Sequence, residues 1–377
     1  MRIAVNTRLL ISDKLDGIGW FTHETMKRIT QQHPEHEFYF LFDRKFEDEF
    51  IYSSNIQPVS LFPPARHPVL WLAWFEYSVT RMLKKIDPDL FLSPDGYLSL
   101  STSVKSLPVI HDINFHHRPL ELPVLTRHYY TNFFPRFAKK ACRIATVSEY
   151  SAADIAASYG VSPTKIDVVY NGANERYVPI NESHKQKTRD TYTEGKPFFL
   201  FVGSLIPRKN IPRLLLAFNA FRNSNPDVYK LVIVGHRMFL TDEITNTLNL
   251  LEFKEDVVFT GRLAPDALHD VLGSALALTF VPVFEGFGIP ILEALSCDVP
   301  VIASGITSMP EVAGEAAVYV DPYDVPSITA AMQKVAGSQK LRQELIEKGR
   351  LRRKKFSWQK SADNLWKSIE SCNEENA

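Results

Sequence analysis

Cysteine is scarce in this 377-residue chain: Cys142, Cys297 and Cys372 are odd in number and far apart. With no CxxC pair and no Cys/His ligand spacing, the sequence argues against a structural zinc site and against a disulfide framework. Excess charge of either sign is missing too, because 43 Lys+Arg balance 43 Asp+Glu. No global pull toward nucleic acid or an anionic membrane follows, and no nucleic-acid partner is expected. Nowhere do ~18 apolar residues run on without charges, so no membrane span is expected. Met1-Arg2 leads straight into Ile-Ala-Val, without the longer apolar stretch of a signal peptide. The expectation is a cytoplasmic protein. Repeats of ~20–50 residues and low-complexity tracts are also absent.

What is present is an ordinary globular composition, 45% apolar and 23% charged, in a chain long enough for about two to three domains. Short β-rich runs alternate with segments of helical period, which predicts an α/β architecture with parallel sheets. Strands are predicted at 2–7, 37–43, 58–62, 89–93, 107–111, 144–147 and 166–170. The polar stretch 181–196 has hardly any apolar residue and reads as an interdomain linker. Beyond it the alternation restarts, with strands at 198–202, 231–235, 257–261, 276–281, 300–304 and 317–320. Two doubly wound Rossmann-like domains facing a cleft are the expectation: residues 1–185 and 190–360, with a terminal helix at 361–377. Ligands of such folds sit at strand carboxyl ends.

Residues at those ends are therefore the ones that matter. Phe284-Glu285-Gly286-Phe287-Gly288-Ile289-Pro290 follows a buried strand, and Pro290 suits a first helical turn. Free backbone N–H groups at that helix start favour anions and sugar oxygens, and the glycines allow close approach. Glu285 lies just outside the helix and Glu293 one turn in; a carboxylate can accept from two adjacent sugar hydroxyls. An ordinary strand–loop–helix turn with a solvated Glu fits the spacing equally well. Gly203 through Arg208-Lys209-Asn210 closes another strand with two cations before a helix, a natural diphosphate clamp or simply a solvated basic loop. Asn210 is placed to cap that helix.

In the first half, Gly17-Ile18-Gly19 opens a long helix without forming the dinucleotide fingerprint. His111-Asp112 closes a strand; the His could bond a sugar hydroxyl, or the pair could be a local turn capped by the Asp. Asp87-Pro88-Asp89 has a metal-binding spelling, yet it precedes a strand and reads as a turn. Two aromatic–basic helices, 71–85 and 127–143, suit either a membrane interface or a packed core with a wet basic edge.

Taken together these stretches resemble the family 4 glycosyltransferases, retaining enzymes of the GT-B fold, over nearly the whole chain. Also carrying the resemblance are Thr146-Val147-Ser148-Glu149, Val169-Tyr170-Asn171-Gly172, Ser308-Met309-Pro310-Glu311 and the closing Phe356-Ser357-Trp358. It implies glycosyl transfer from a nucleotide-diphosphate sugar, with a lean to GDP-mannose, onto a glycan or lipid-linked acceptor of surface polysaccharide synthesis. By the same resemblance, Arg208, Lys209 and Gly17 would hold the diphosphate. Gly286, Phe287 and Gly288 would hold the sugar, Glu293 the ribose, and His111 and Glu285 would be catalytic. No metal and no cofactor is implied, and the terminal helix would cross back to the first domain. A peripheral contact with the cytoplasmic face of the inner membrane is compatible with it. An epimerase, a phosphorylase or a non-catalytic scaffold on the same architecture is the alternative. Asp298 departs from the family's usual glycine, although Asp tolerates left-handed backbone well.

Overall fold

The computed structural model describes residues 1–12, 14–225, 227–236 and 242–374. It divides into two compact units, Met1–Gly172 with Ser357–Ala377, and Ala173–Phe356. The boundary therefore falls near residue 173 and not in the 181–196 stretch, which is mostly helix (Glu182–Thr193). That helix shows no apolar stripe because it buries only Thr188 and Thr193. Its ends are set locally, by Asn181 Oδ1 accepting from His184 N and by left-handed Glu194 and Gly195.

In the first unit the strands are β1 (Arg2–Asn6), β2 (Glu37–Phe42), β3 (Ile56–Ser60), β4 (Leu90–Ser93), β5 (Ser106–Pro108), β6 (Ile144–Thr146) and β7 (Ile166–Val168). Five form a parallel sheet in the order β3-β2-β1-β4-β5. A bridge between Val109 and Ala145 continues it toward the β6-β7 pair. The winding reverses between β1 and β4, and the carboxyl ends of that pair are where a doubly wound sheet offers a crevice.

The second unit holds β8 (Phe198–Val202), β9 (Lys230–Val234), β10 (Val257–Gly261), β11 (Ala277–Phe280), β12 (Val301–Ser304) and β13 (Ala317–Val320). Their order is β10-β9-β8-β11-β12-β13, all parallel, with the reversal between β8 and β11. β8, β9, β11 and β12 are buried along their whole length, as strands covered by helices on both faces must be.

The aromatic–basic helices belong to the core. Trp74 and Phe75 from one and Tyr129, Phe134 and Phe137 from the other are buried in one cluster with Tyr97 and Phe91. Val69, Leu72 and Tyr77 stay exposed on the outer face. The terminal helix, Trp358–Glu374, groups with the first unit and packs on the Gly17–Gln32 helix; the last three residues of the expected 361–377 segment lie outside the described ones. Here the expectation against disulfides is corrected. Cys142 and Cys372 are bonded, with Cα atoms 5.7 Å apart and a sequence separation of 230. The low count and wide spacing concealed a pair that only this packing brings together.

Among the described residues no helix is long and apolar enough to cross a membrane. The Asp87-Pro88-Asp89 stretch sits at the start of β4, Asp87 in left-handed conformation and Asp89 accepting from Arg2 N at 2.8 Å. It is a turn. The one grouping with metal-ligand geometry among the described residues is His33, Glu35 and His36, ahead of β2 at the opposite end of the sheet from the strand carboxyl ends.

Candidate functional site

In the second unit, β8 is followed directly by Gly203, whose φ is +150°. The neighbouring strand crowds it: a Cβ on Gly235 would lie 2.0 Å from the Gly203 carbonyl oxygen. The chain then turns through Pro207–Lys209 into the Ile211–Asn223 helix. Asn210 is left-handed, with φ +65°, and does not cap that helix with its side chain. Its amide instead donates to Val281 O at 3.0 Å and Pro322 O at 2.7 Å. Those carbonyls lie beyond β11 and β13, so Asn210 ties the cationic loop to the other side of the strand reversal. Val283 N donating to Arg208 O at 2.9 Å adds a second tie.

The tie brings the predicted cations and one predicted acid together. Arg208 Nη1 donates to Glu285 Oε2 at 2.7 Å and to Phe284 O at 3.1 Å. Lys209 Nζ donates to the same Oε2 and lies 4.9 Å from the centre of the Phe280 ring. Burial by itself would raise Glu285, but Lys209 and then Arg208 outweigh it and hold the carboxyl below its ordinary value. Glu285 is thus a fixed anion. Two cations converge on this one carboxylate, and the same two donors suit a ligand with more than one negative charge.

The glycine loop is held from below. Ser308 Oγ donates to Glu285 O at 2.8 Å and to Phe287 O at 3.1 Å. Phe287 is buried edge-on to Phe356, ring centres 5.8 Å apart. Gly288 has φ +101° and starts the Ile289–Ser296 helix with Pro290 in its first turn. A Cβ there would meet Met309 Cε at 2.8 Å, the movable end of a flexible side chain, so it is the backbone that demands glycine. Glu293 follows one turn in, and desolvation raises its carboxyl to about 7 although the nearby Tyr177 hydroxyl acts in the other direction. The sequence pointed to Glu293 but not to Tyr177, whose partner is 116 positions away and carries no local signal. Asp298 has φ +57° and pairs with Arg350 at 2.6 Å, so the left-handed backbone expected where glycine is usual is present.

In the first unit, His111 lies just past β5, its ring edge-on to Phe21 at 5.1 Å. Its Nε2 is 2.8 Å from Pro94 O, and burial lowers its pKa. Asp112 Oδ1 accepts from Asn114 N at 2.9 Å, the local turn that was the alternative for this pair. Gly17 is the first residue of the Gly17–Gln32 helix, which Asp16 caps by accepting from Gly19 N at 2.9 Å. A polar cluster unforeseen in the sequence, Asn6, Arg8 and Asp95, occupies the carboxyl ends of β1 and β4.

Each unit thus places its polar side chains at the point where its sheet reverses. Two family profiles divide the chain in the same way. One described as "Glycosyltransferase Family 4" matches residues 15–177, and one described as "Glycosyl transferases group 1" matches residues 182–352. The O-antigen chain mannosyltransferase RfbU of Salmonella typhimurium is 30% identical over 270 residues, 71% of each chain. The chain belongs to the GT-B glycosyltransferases. O-antigen chain mannosyltransferase B of Escherichia coli is 27% identical over 271 residues, 72% of this chain and 71% of its own. Among solved structures, Anabaena HepE in complex with UDP and glucose superposes with a TM-score of 0.75 at 14% identity, covering 98% of this chain and all of that one. That likeness supports the fold of this glycosyltransferase.

Proposed function

We propose that this glycosyltransferase moves a sugar from a nucleotide-diphosphate donor to an acceptor hydroxyl with retention, without needing a metal. The observation that carries the reading is the convergence of Arg208 and Lys209 on one oxygen of Glu285 at the β8/β11 reversal. The donor diphosphate takes over the two cations, which then stabilise the charge that develops as the sugar leaves. The Gly286–Gly288 backbone and Glu285 hold the transferred sugar, Glu293 accepts from the ribose hydroxyls, and Gly17 meets the diphosphate. His111 contacts the sugar.

In the transfer step the acceptor oxygen bonds to the anomeric carbon as that carbon's bond to the phosphate oxygen breaks. The acceptor proton passes to the departing diphosphate on the same face, so configuration is kept. The two O-antigen chain mannosyltransferases cited above favour mannose as the sugar moved and a glycan chain as acceptor; the donor in this reading is GDP-mannose and the acceptor a growing lipid-linked glycan. Peripheral membrane contact is assigned to the exposed Val69, Leu72 and Tyr77 beside exposed Arg81, Lys84 and Lys85, an apolar face with a basic edge.

A thermal-shift panel of GDP-mannose, UDP-glucose, UDP-galactose and the free diphosphates tests the reading, because a ligand well above its Kd raises the melting temperature. GDP-mannose and GDP should shift the wild type, and turnover should persist in EDTA. No response to any nucleotide sugar or diphosphate would discard it.

A further inference from the structure

The first unit has its own strand-reversal point, and it is filled by protein. Asp95, 8% exposed, takes four donors there. Asn6 Nδ2 donates to Oδ1 at 2.7 Å, Ser93 Oγ donates to the same oxygen at 3.1 Å, and Tyr97 N donates to it at 3.3 Å. Arg8 Nε reaches Oδ2 at 2.5 Å. Arg8 is also buried: its Nη1 donates to Ala65 O at 3.1 Å, and its guanidinium lies 4.3 Å from the centre of the Tyr97 ring. A buried ion pair with both partners this fully bonded fixes geometry more than it adds stability.

What it fixes is the turn Ser93-Pro94-Asp95-Gly96, closed by Gly96 N donating to Ser93 O at 3.1 Å with Gly96 at φ +85°. Pro94 is the residue whose carbonyl lies 2.8 Å from His111 Nε2. A carbonyl can only accept, so Nε2 carries the proton. The neutral ring then presents Nδ1 as an acceptor, and the ring bond to protein seen among the described residues is made through Nε2.

We propose that Arg8 and Asp95 are positioning residues that aim the Pro94 carbonyl at His111 and so hold its ring in the tautomer whose Nδ1 accepts a hydrogen bond from a substrate hydroxyl. The catalytic purpose of the pair rests on the contact between His111 and the sugar proposed above; the tautomer does not. Burial of His111 works in the same sense, since it keeps the ring neutral. A His oriented through its second nitrogen is the usual way a protein selects which nitrogen meets substrate.

Nitrogen-15 histidine NMR on the full chain, with His111→Gln identifying the signal, reads the tautomer directly. The wild type should show a pyrrole-type Nε2 and a pyridine-type Nδ1. Asp95→Asn should mix the tautomers and lower kcat by about 10- to 100-fold, with donor KM within about threefold, as expected of a lost orienting partner. Arg8→Met with Asp95→Leu removes both charges together, so no charge is left buried alone, and should show the same mixing in a folded protein. A pyridine-type Nε2 in the wild type, or both variants keeping the wild-type spectrum and turnover, would overturn the proposal. His111→Ala with undiminished turnover would instead sink the sugar contact, and with it the pair's catalytic purpose, while leaving the tautomer assignment standing.

Discussion

Lys209 donates its ammonium proton to Glu285 Oε2 across 76 residues of sequence, from a position that is itself buried. In the free enzyme the carboxylate stands where an anionic ligand is proposed to bind, so ligand and Glu285 share the same two cations.

Lys209→Ala should therefore raise donor KM and lower kcat together. The loss of one buried charge-assisted contact is worth about 1.5–3 kcal/mol, or roughly 10- to 150-fold in kcat/KM. Steady-state kinetics with the donor identified in the thermal-shift panel checks this, and unchanged kinetics would remove the clamp.

Glu285→Gln acts on both the empty and the loaded site. It removes the charge on which Arg208 and Lys209 converge, and breaking such a buried pairing costs the free protein about 3–5 kcal/mol. Turnover should fall severely. The variant should melt lower than wild type when empty and be stabilised more by a nucleoside diphosphate, which returns negative charge to the cations. Calorimetry with and without GDP measures both effects; a fully active variant would end the assigned role.

Glu293 makes a pH-dependent contribution whose sign follows from its raised carboxyl. The fold favours the protonated form, so between the ordinary carboxyl value of 4.5 and about 7 the native state holds a proton that the unfolded chain does not. Stability relative to Glu293→Gln is then fully present below 4.5 and is lost as pH rises through about 7, by at most about 3 kcal/mol. Urea unfolding should give nearly equal stabilities at pH 4.5 and a more stable Gln variant at pH 8. Equal stabilities at both values would contradict the burial argument.

Reduction of Cys142–Cys372 should loosen the terminal helix. The bond closes a very long loop, so its removal costs about 2–5 kcal/mol, mostly through the unfolded chain. Trp358 and Trp366 lie in that helix and report on it. Cys372→Ser should unfold at lower urea than oxidised wild type and match wild type treated with dithiothreitol. Identical curves for all three would show that the bond contributes nothing.

Much of the site was legible because its parts are local. Strand, glycine and helix start occur within a few residues of each other, so β8 with Gly203 and Gly288 with Pro290 could be placed from the chain alone. The Glu182–Thr193 helix reads as a linker in the sequence because its apolar period is missing, although Asn181 and Glu194-Gly195 mark its two ends. Asn210 had a capping residue's identity but a left-handed backbone, which sends its amide to carbonyls 71 and 112 residues away.

Side-chain chemistry and periodicity determined, from the sequence by itself, that this protein alternates strand and helix and carries two cations and two acids at strand ends. Folding decided the partnerships: Lys209 and Arg208 with Glu285, Tyr177 with Glu293, Arg8 with Asp95, Cys142 with Cys372. Secondary structure answers to neighbours three or four residues off, whereas each of these pairs exists only because separate strands or helices end side by side.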